Sequence, residues 1–169
     1  MKIKKQSIFE YGIFSAIILV GIALDQLTQW LAVKFLSTIS TLPLISGVLH
    51  LTYVENRGAA FGMLANHRWV FILISTATIL FLFGALYAGY LPSMLYKVSV
   101  SMIISGGIGN MIDRLMLGYV VDFIDFRLIN FAVFNGADSF VCVGAGLLIL
   151  ALIKDIIEEA KMKKQGGAS

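Results

Sequence analysis

Four long apolar segments constrain the fold of this 169-residue chain more than any other feature. A membrane-spanning helix needs about 20 predominantly apolar residues. Segments of that length cover residues 8–36, 69–87, 95–115 and 138–157. Hydrophobic residues make up 59% of the sequence and charged residues 14%, which is far from the balance of a soluble domain. The sequence therefore predicts an all-α membrane bundle of four transmembrane helices with minor β structure, in one domain over residues 1–169.

The distribution of basic residues predicts how the bundle is oriented. Four spans place both termini on one side of the membrane, and lysine and arginine are enriched on the cytoplasmic side. Eight of the 13 basic residues fall on the side of the termini: Lys2, Lys4, Lys5, Lys97, Lys154, Lys161, Lys163 and Lys164. We therefore expect both termini to be cytoplasmic. Because these charges are not interleaved with aromatic residues, we expect no nucleic-acid partner.

The connections on the predicted outer side are long, and the connection on the inner side is short. Residues 37–68 and 116–137 join spans on the outer side, whereas residues 88–94 form a short turn. Residues 48–54 alternate at a period of two and are rich in β-branched and aromatic side chains, which predicts a strand. Backbone at that depth must pair internally or line a wet cavity. A small sheet at the outer surface is therefore expected.

Asp122 and Asp138 are the strongest candidates for chemistry. Each is a carboxylate set against apolar sequence, where an ionised group is costly, so a role in chemistry or transport is the first hypothesis. Two carboxylates held close together cannot both ionise readily, and such a pair shares one proton. The charged member can activate water while the protonated member stabilises the oxyanion. The order of elements makes contact between the two residues geometrically easy.

Other uses of these acids remain open on the residue pattern alone. Either aspartate could cap a helix or pair with Arg114. Asp113 could join Asp122 and Asp138 as oxygen ligands of a metal-dependent membrane hydrolase. A proton-coupled transporter or a non-catalytic scaffold could also carry acids in its helices. The single cysteine, Cys142, has no partner for a disulfide or a thiolate metal site.

Two glycine-containing motifs have less distinctive meanings. Residues 106–110 (Gly-Gly-Ile-Gly-Asn) lack the lysine and the preceding strand of a phosphate-binding loop. Ser105 and Gly109 fit the small-xxx-small spacing of closely packed membrane helices, so packing is the expected role. Residues 56–62 indicate a loop in which Asn56 is available to hydrogen-bond a ligand backbone.

Five ordered blocks resemble the lipoprotein signal peptidase family, also called signal peptidase II, the membrane aspartyl proteases of bacterial lipoprotein maturation. These blocks are residues 25–28 (Asp-Gln-Leu-Thr), 56–62 (Asn-Arg-Gly-Ala-Ala-Phe-Gly), 107–114 (Gly-Ile-Gly-Asn-Met-Ile-Asp-Arg), 120–123 (Val-Val-Asp-Phe) and 134–139 (Phe-Asn-Gly-Ala-Asp-Ser). The resemblance runs almost from end to end. It implies four spans with an outer β-cradle, a bacterial cytoplasmic membrane location with the active site near the outer face, and a monomer surrounded by membrane lipids.

The resemblance also implies the reaction and the residues that perform it. The substrate would be a prolipoprotein carrying diacylglycerol on a cysteine, and cleavage would fall on the amino side of that cysteine. Asp122 and Asp138 would be the catalytic pair, with no cofactor and no metal. The remaining matched residues would support the substrate backbone or the aspartate pair: Asn56, Gly58, Asn110, Arg114, Asn135, Asp25 and Asp113.

One position departs from the family pattern. The family usually has a lysine after the threonine of the first block, and this chain has Gln29. The substitution is expected to leave Asp25 without its i, i+4 partner, so that this acid is protonated or paired elsewhere. Reduced stability, more than reduced activity, is the expected consequence.

Overall fold

The computed structural model describes residues 6–58 and 67–166, which form a bundle of four long helices with a three-stranded sheet at one end. The helices and strands have the following bounds: α1 Ile8–Leu36, β1 Thr41–Ile45, β2 Leu49–Asn56, α2 Arg68–Tyr87, α3 Met94–Met116, β3 Val120–Phe126 and α4 Gly136–Gly166. All four helices are long and apolar enough to cross a membrane. The four predicted spans are therefore confirmed, and α4 extends nine residues beyond the predicted end.

Helix α3 occupies the centre of the bundle and packs against the other three helices. Small residues permit this approach, because a Cβ at Gly106 would collide with the carbonyl oxygen of Ala137 on α4. A Cβ at Gly21 of α1 would likewise collide with the hydroxyl of Ser105. The prediction that the small residues of α3 serve helix packing is confirmed.

The sheet is antiparallel with the order β1-β2-β3, and it lies at the end of the bundle where α1 and α3 end. The predicted strand at residues 48–54 is confirmed as β2. The sheet is attached to α1 through Val121, which packs against the buried side chains of Ala32 and Leu36. Because α2 and α4 run away from the sheet, the start of α1 and the end of α4 lie together at the opposite end of the bundle.

Two strands differ from the prediction that their segments are loops. Asp122 lies within β3, where it pairs in register with Val54, and not in the loop leading to α4. Val120, Val121 and Asp122 are all buried, so β3 lacks the alternation of apolar and polar residues by which β2 is recognised. Strand β1 contains Pro43, which a strand tolerates at the edge of a sheet, where β1 lies.

Candidate active site

Asp122 and Asp138 are brought together by Asn135, which contacts both of them. The Nδ2 of Asn135 donates to Oδ1 of Asp122 over 3.0 Å. The Oδ1 of the same amide accepts from the backbone N–H of Asp138 over 2.9 Å. Both aspartates line one cavity of about 470 Å³. Residues on a strand of the sheet and at the start of a helix thus meet in a single polar site.

The start of α4 determines the position of Asp138. Asn135 directly precedes the helix, and its backbone N–H donates to Oδ2 of Asp138 over 3.4 Å. Together with the Asn135 amide bond to the N–H of Asp138, this forms a reciprocal cap. Asp138 therefore takes part in capping from the first turn, while Asn135 occupies the cap position. Asp138 thus both helps to cap α4 and belongs to the site.

Asn110 provides a second connection between the two carboxylates. Its Nδ2 donates to Oδ1 of Asp138 over 2.7 Å, and its Oδ1 accepts from Nδ2 of Asn135 over 3.0 Å. Since Asn135 also donates to Asp122, a continuous chain of hydrogen bonds runs from one aspartate to the other. Asn135 is completely buried, so this chain is shielded from competing water.

Asn56 and Arg114 close the other side of the site. Asn56 Nδ2 donates to Oδ2 of Asp122 over 2.8 Å, and its Oδ1 accepts from the N–H of Gly58 over 2.9 Å. Arg114 donates to the carbonyl of Gly58 over 3.1 Å and to the carbonyl of Asn110 over 3.2 Å. Among the described residues, the guanidinium therefore bonds to carbonyl groups and not to either aspartate of the pair. Arg114 nevertheless lines the cavity beside Asp122 and Asp138.

Asp25 and Asp113 are buried and each holds the backbone immediately before one of the paired aspartates. Oδ1 of Asp25 accepts from the N–H of Ala137 over 2.7 Å. Oδ2 of Asp113 accepts from the N–H of Val121 over 3.2 Å. Gln26 links the two acids, because its amide donates to Oδ1 of Asp113 over 2.9 Å and to Oδ2 of Asp25 over 3.4 Å. These acids therefore act on the backbone and lie behind the pair.

The expectation that Asp25 lacks an i, i+4 partner is wrong. Gln29 is buried, and its Nε2 donates to Oδ2 of Asp25 over 3.0 Å. An amide therefore supplies the donor at the position where the family usually has a lysine. A neutral donor satisfies the carboxylate without the cost of burying a second charge.

Burial and a neighbouring charge make Asp122 hold its proton more tightly than an ordinary aspartate. Burial raises the pKa of Asp122 to about 7. The hydrogen bond from Asn56 opposes this rise, and the neighbouring charge of Asp138 adds to it. Near neutral pH, Asp122 therefore exchanges a proton readily. One protonated and one ionised carboxyl group, facing the same cavity, can act as general acid and general base.

The hydrogen bonds of Asp113 test whether this acid could bind a metal ion together with Asp122 and Asp138. Both oxygens of Asp113 are hydrogen-bonded, one to Val121 and one to Gln26. Within residues 6–58 and 67–166, no group of three or more His, Cys, Asp and Glu side chains is arranged to hold a metal ion. In this geometry Asp113 serves the backbone of β3 and does not complete a set of ligands with the pair.

The cavity is also lined by residues that the sequence analysis did not assign to the site. They belong to the segment before α4 and to the first turns of α4: Phe131, Ala132, Val133, Phe134, Ser139, Val141 and Cys142. Most of these side chains are apolar, so the polar pair lies at one part of an otherwise apolar cavity. The available signal was the apolar run at residues 131–134, which leads directly into Asn135.

Comparisons with known proteins show which family this chain resembles. The family model described as signal peptidase (SPase) II matches residues 17–154. The lipoprotein signal peptidase of Clostridioides difficile is 44% identical over 142 residues, covering 83% of this chain and 95% of that protein. The lipoprotein signal peptidase of Caldanaerobacter subterraneus subsp. tengcongensis is 51% identical over 136 residues, covering 79% and 92%.

A solved structure is similar over almost the whole chain. It is described as a bacterial membrane enzyme determined by the in meso method at 2.3 Å resolution, and it has a TM-score of 0.79 and 30% sequence identity. The similarity covers 92% of this chain and 94% of that one. With a family model that matches most of its residues and close relatives of nearly equal length, this multi-pass membrane protein belongs to the signal peptidase II family.

Proposed function

We propose that this protein is an aspartic-type endopeptidase that removes signal peptides from prolipoproteins carrying a diacylglyceryl group on cysteine. Cleavage falls on the amino side of that cysteine. The observation that carries this proposal is the pair Asp122 and Asp138, joined through Asn135 and facing one cavity. Membership of the signal peptidase II family supports the substrate class.

The pair catalyses the reaction by accepting a proton from water and by supplying a proton to the leaving amine. Ionised Asp138 accepts a proton from a water molecule, and the water oxygen bonds to the carbonyl carbon of the scissile amide. Protonated Asp122 donates a hydrogen bond to the carbonyl oxygen as negative charge develops there. When the carbon–nitrogen bond breaks, the amine of the cysteine leaves with a proton from the pair. The raised pKa of Asp122 suits the role of proton holder.

The surrounding residues keep the pair in place and present a surface to the substrate. Asn56, Asn110 and Asn135 hold carboxylate oxygens, and Asp25 and Asp113 hold the backbone before each aspartate. Arg114 and Gly58 form one edge of the site through their mutual hydrogen bond. The apolar part of the cavity suits a substrate with acyl chains, because burying apolar surface is favourable.

The placement in the cell follows from the distribution of charge. We infer a bacterial cytoplasmic membrane protein that acts as a monomer among membrane lipids. Its termini are cytoplasmic, and its sheet and aspartate pair lie at the outer face. The basic residues at the end of the bundle opposite the sheet support this orientation, including Lys163 and Lys164 at the end of α4.

The test is cleavage of a synthetic prolipoprotein with a diacylglyceryl-modified cysteine by the purified full-length protein in detergent. Asp122→Asn and Asp138→Asn are expected to lower kcat by about 10²–10⁴-fold, as for loss of general acid–base catalysis. Asp125→Asn is the matched control, because Asp125 lies on the same strand but bonds to Thr52 and Arg127. Cleavage by the wild type is expected to survive a chelator.

Several results would contradict the proposal. Cleavage that persists in either variant removes that aspartate from the catalytic role. Inhibition by the chelator, reversed by added metal, points to a metal-dependent hydrolase. Absence of cleavage by folded wild-type protein removes the peptidase function itself.

A further inference from the structure

The segment before α4 extends the sheet beyond β3 by a short pairing. The N–H of Phe134 donates to the carbonyl of Ile124 over 3.1 Å, and the N–H of Ile124 donates back over 2.8 Å. The two residues form an antiparallel bridge outside the named strands. Phe134 is thus an edge position of the sheet, opposite Ile124, which lies two residues after Asp122 on β3.

Val133 has backbone groups that the fold leaves unused. In an extended segment, the N–H and C=O of successive residues point to opposite sides. Since those of Phe134 point to β3, those of Val133 point away from it. No hydrogen bond reaches the N–H or the C=O of Val133 from any residue within the described ranges.

The residues that flank Ala132 and Val133 already have hydrogen-bond partners. The N–H of Asn135 donates to Asp138, and its C=O accepts from Ser139. The N–H of Phe131 donates to the carbonyl of Phe126 over 3.3 Å. Ala132 and Val133 are therefore the positions in this part of the segment where, among the described residues, both a donor and an acceptor remain without a partner, and Val133 is the one next to the bridge.

This unused pair of groups lies in the wall of the candidate active site. Val133 lines the same cavity as Asp122 and Asp138 and is only partly exposed. Partly buried backbone groups are costly without a partner, which near a membrane must be water or a ligand. An extended peptide that adds to a sheet edge satisfies such groups with its own backbone.

We propose that the backbone N–H and C=O of Val133 form a pair of hydrogen bonds with one residue of the substrate, holding the peptide extended beside Asp122 and Asp138. This inference rests on the proposed peptidase function. Such pairing recognises the main chain and no particular side chain, so it suits a peptidase whose substrates differ in sequence. Val133 is a positioning residue, and its contribution comes from the backbone.

The first test changes the backbone of the substrate. A series of synthetic peptides with a diacylglyceryl-modified cysteine carries one amide-to-ester replacement each, moved along the residues on either side of the cleaved bond. The ester that removes the paired N–H is expected to raise KM roughly fivefold, as for loss of one net hydrogen bond. Esters at the two adjacent residues are expected to have little effect. A uniform response, or no response at any position, overturns the proposal.

The second test changes the backbone of the enzyme. Val133→Pro removes the N–H that donates to the substrate carbonyl but keeps the C=O that accepts the substrate N–H. KM for the all-amide peptide is therefore expected to rise roughly fivefold, while the position-specific ester effect remains. Val133→Ile keeps both backbone groups and is expected to keep the KM of the wild type. If Val133→Pro lowers the melting temperature strongly, the ester series on the wild type decides alone. An unchanged KM for the all-amide peptide in folded Val133→Pro overturns the proposal.

Binding measurements separate this inference from the peptidase function. The same ester series, carrying a fluorescent label, is titrated with Asp122→Asn protein, and affinity is read from anisotropy. A single sensitive position supports pairing even where no cleavage is measured. Absence of cleavage of the all-amide peptide by wild type refutes the peptidase function, whereas a flat affinity series refutes the pairing.

Discussion

Replacing Asn56 with leucine is expected to extend cleavage to higher pH. Asn56 donates to Oδ2 of Asp122 over 2.8 Å, and this hydrogen bond favours the ionised carboxylate. Burial raises the pKa of Asp122 to about 7 in spite of that bond. Leucine has a similar volume and donates no hydrogen bond. Without the donor, burial and the charge of Asp138 raise the pKa of Asp122 further.

The size of this change follows from the contact that is lost. A hydrogen bond to a charged group contributes about 1.5–3 kcal/mol, and one pKa unit corresponds to about 1.36 kcal/mol. Asn56 is only partly buried, so the low end of that range applies. We expect the pKa of Asp122 to rise by about one unit. If protonated Asp122 is the active form, activity present at low pH is lost as pH rises through this pKa. The alkaline limb of the profile of kcat/KM against pH therefore moves from about pH 7 to about pH 8.

The assay is kcat/KM for cleavage of the lipidated peptide in detergent between about pH 5.5 and 9.5. Glu55→Gln is the control, because Glu55 is the adjacent residue on β2 and pairs with Arg57 at the surface. Its alkaline limb is expected to match that of the wild type. An alkaline limb of Asn56→Leu that stays in place or moves to lower pH refutes the reasoning. If the variant is inactive, the melting temperature still reports the pKa, because a raised pKa of Asp122 makes stability fall as pH rises through it.

Three further changes test the fold that supports the site. Gly106→Ala places a methyl group against the backbone at the start of α4 and is expected to cost about 1–3 kcal/mol of stability and to lower activity, whereas Gly146→Ala meets nothing within 4 Å and is expected to leave the melting temperature unchanged or raised. Gln29→Leu removes a donor to Asp25 and is expected to cost about 1–3 kcal/mol, whereas Gln29→Lys is expected to lie close to the wild type, both measured as melting in detergent. Burial raises the pKa of Asp125, but hydrogen bonds from Thr52 and Arg127 outweigh it and hold that pKa below its usual range. Asp125→Asn is therefore expected to lower the melting temperature by a few degrees near neutral pH, with the difference lost as pH falls below about 4, and to leave cleavage intact.

The spans were predictable because the bilayer imposes a length that can be counted along the sequence. The bounds of α1 match the predicted 8–36, and those of α2 and α3 differ by one residue at the ends. Strand β2 was recognisable because its sequence alternates at a period of two, and Leu51 and Tyr53 on one face pack against the cluster of Ala32, Leu36 and Val121. Span length and strand alternation can both be recognised from a short stretch of consecutive residues.

Strand β3 was not predictable for the opposite reason. Its first three residues are all buried, one of them a carboxylate, so the period of two is absent. Its pairing with β2 joins residues 64 to 77 positions apart, and its location depends on Asp113 holding the N–H of Val121. The sequence could rank Asp122 as a candidate from its apolar setting, but it contains no local signal for the strand that carries this residue.

The arrangement of Asp25 and Asp113 explains how a pair of acids on different elements can keep a fixed separation. Each acid accepts the N–H of the residue just before one of the paired aspartates, and Gln26 joins the two acids to each other. The backbone on both sides of the site is therefore held by side chains from α1 and α3 that are bonded to each other. Hydrogen bonds to buried charges are among the stronger ones, so they hold the backbone firmly on both sides of the pair. The carboxyl groups of Asp122 and Asp138 can therefore exchange a proton, while Asp25 and Asp113 hold the backbone in place.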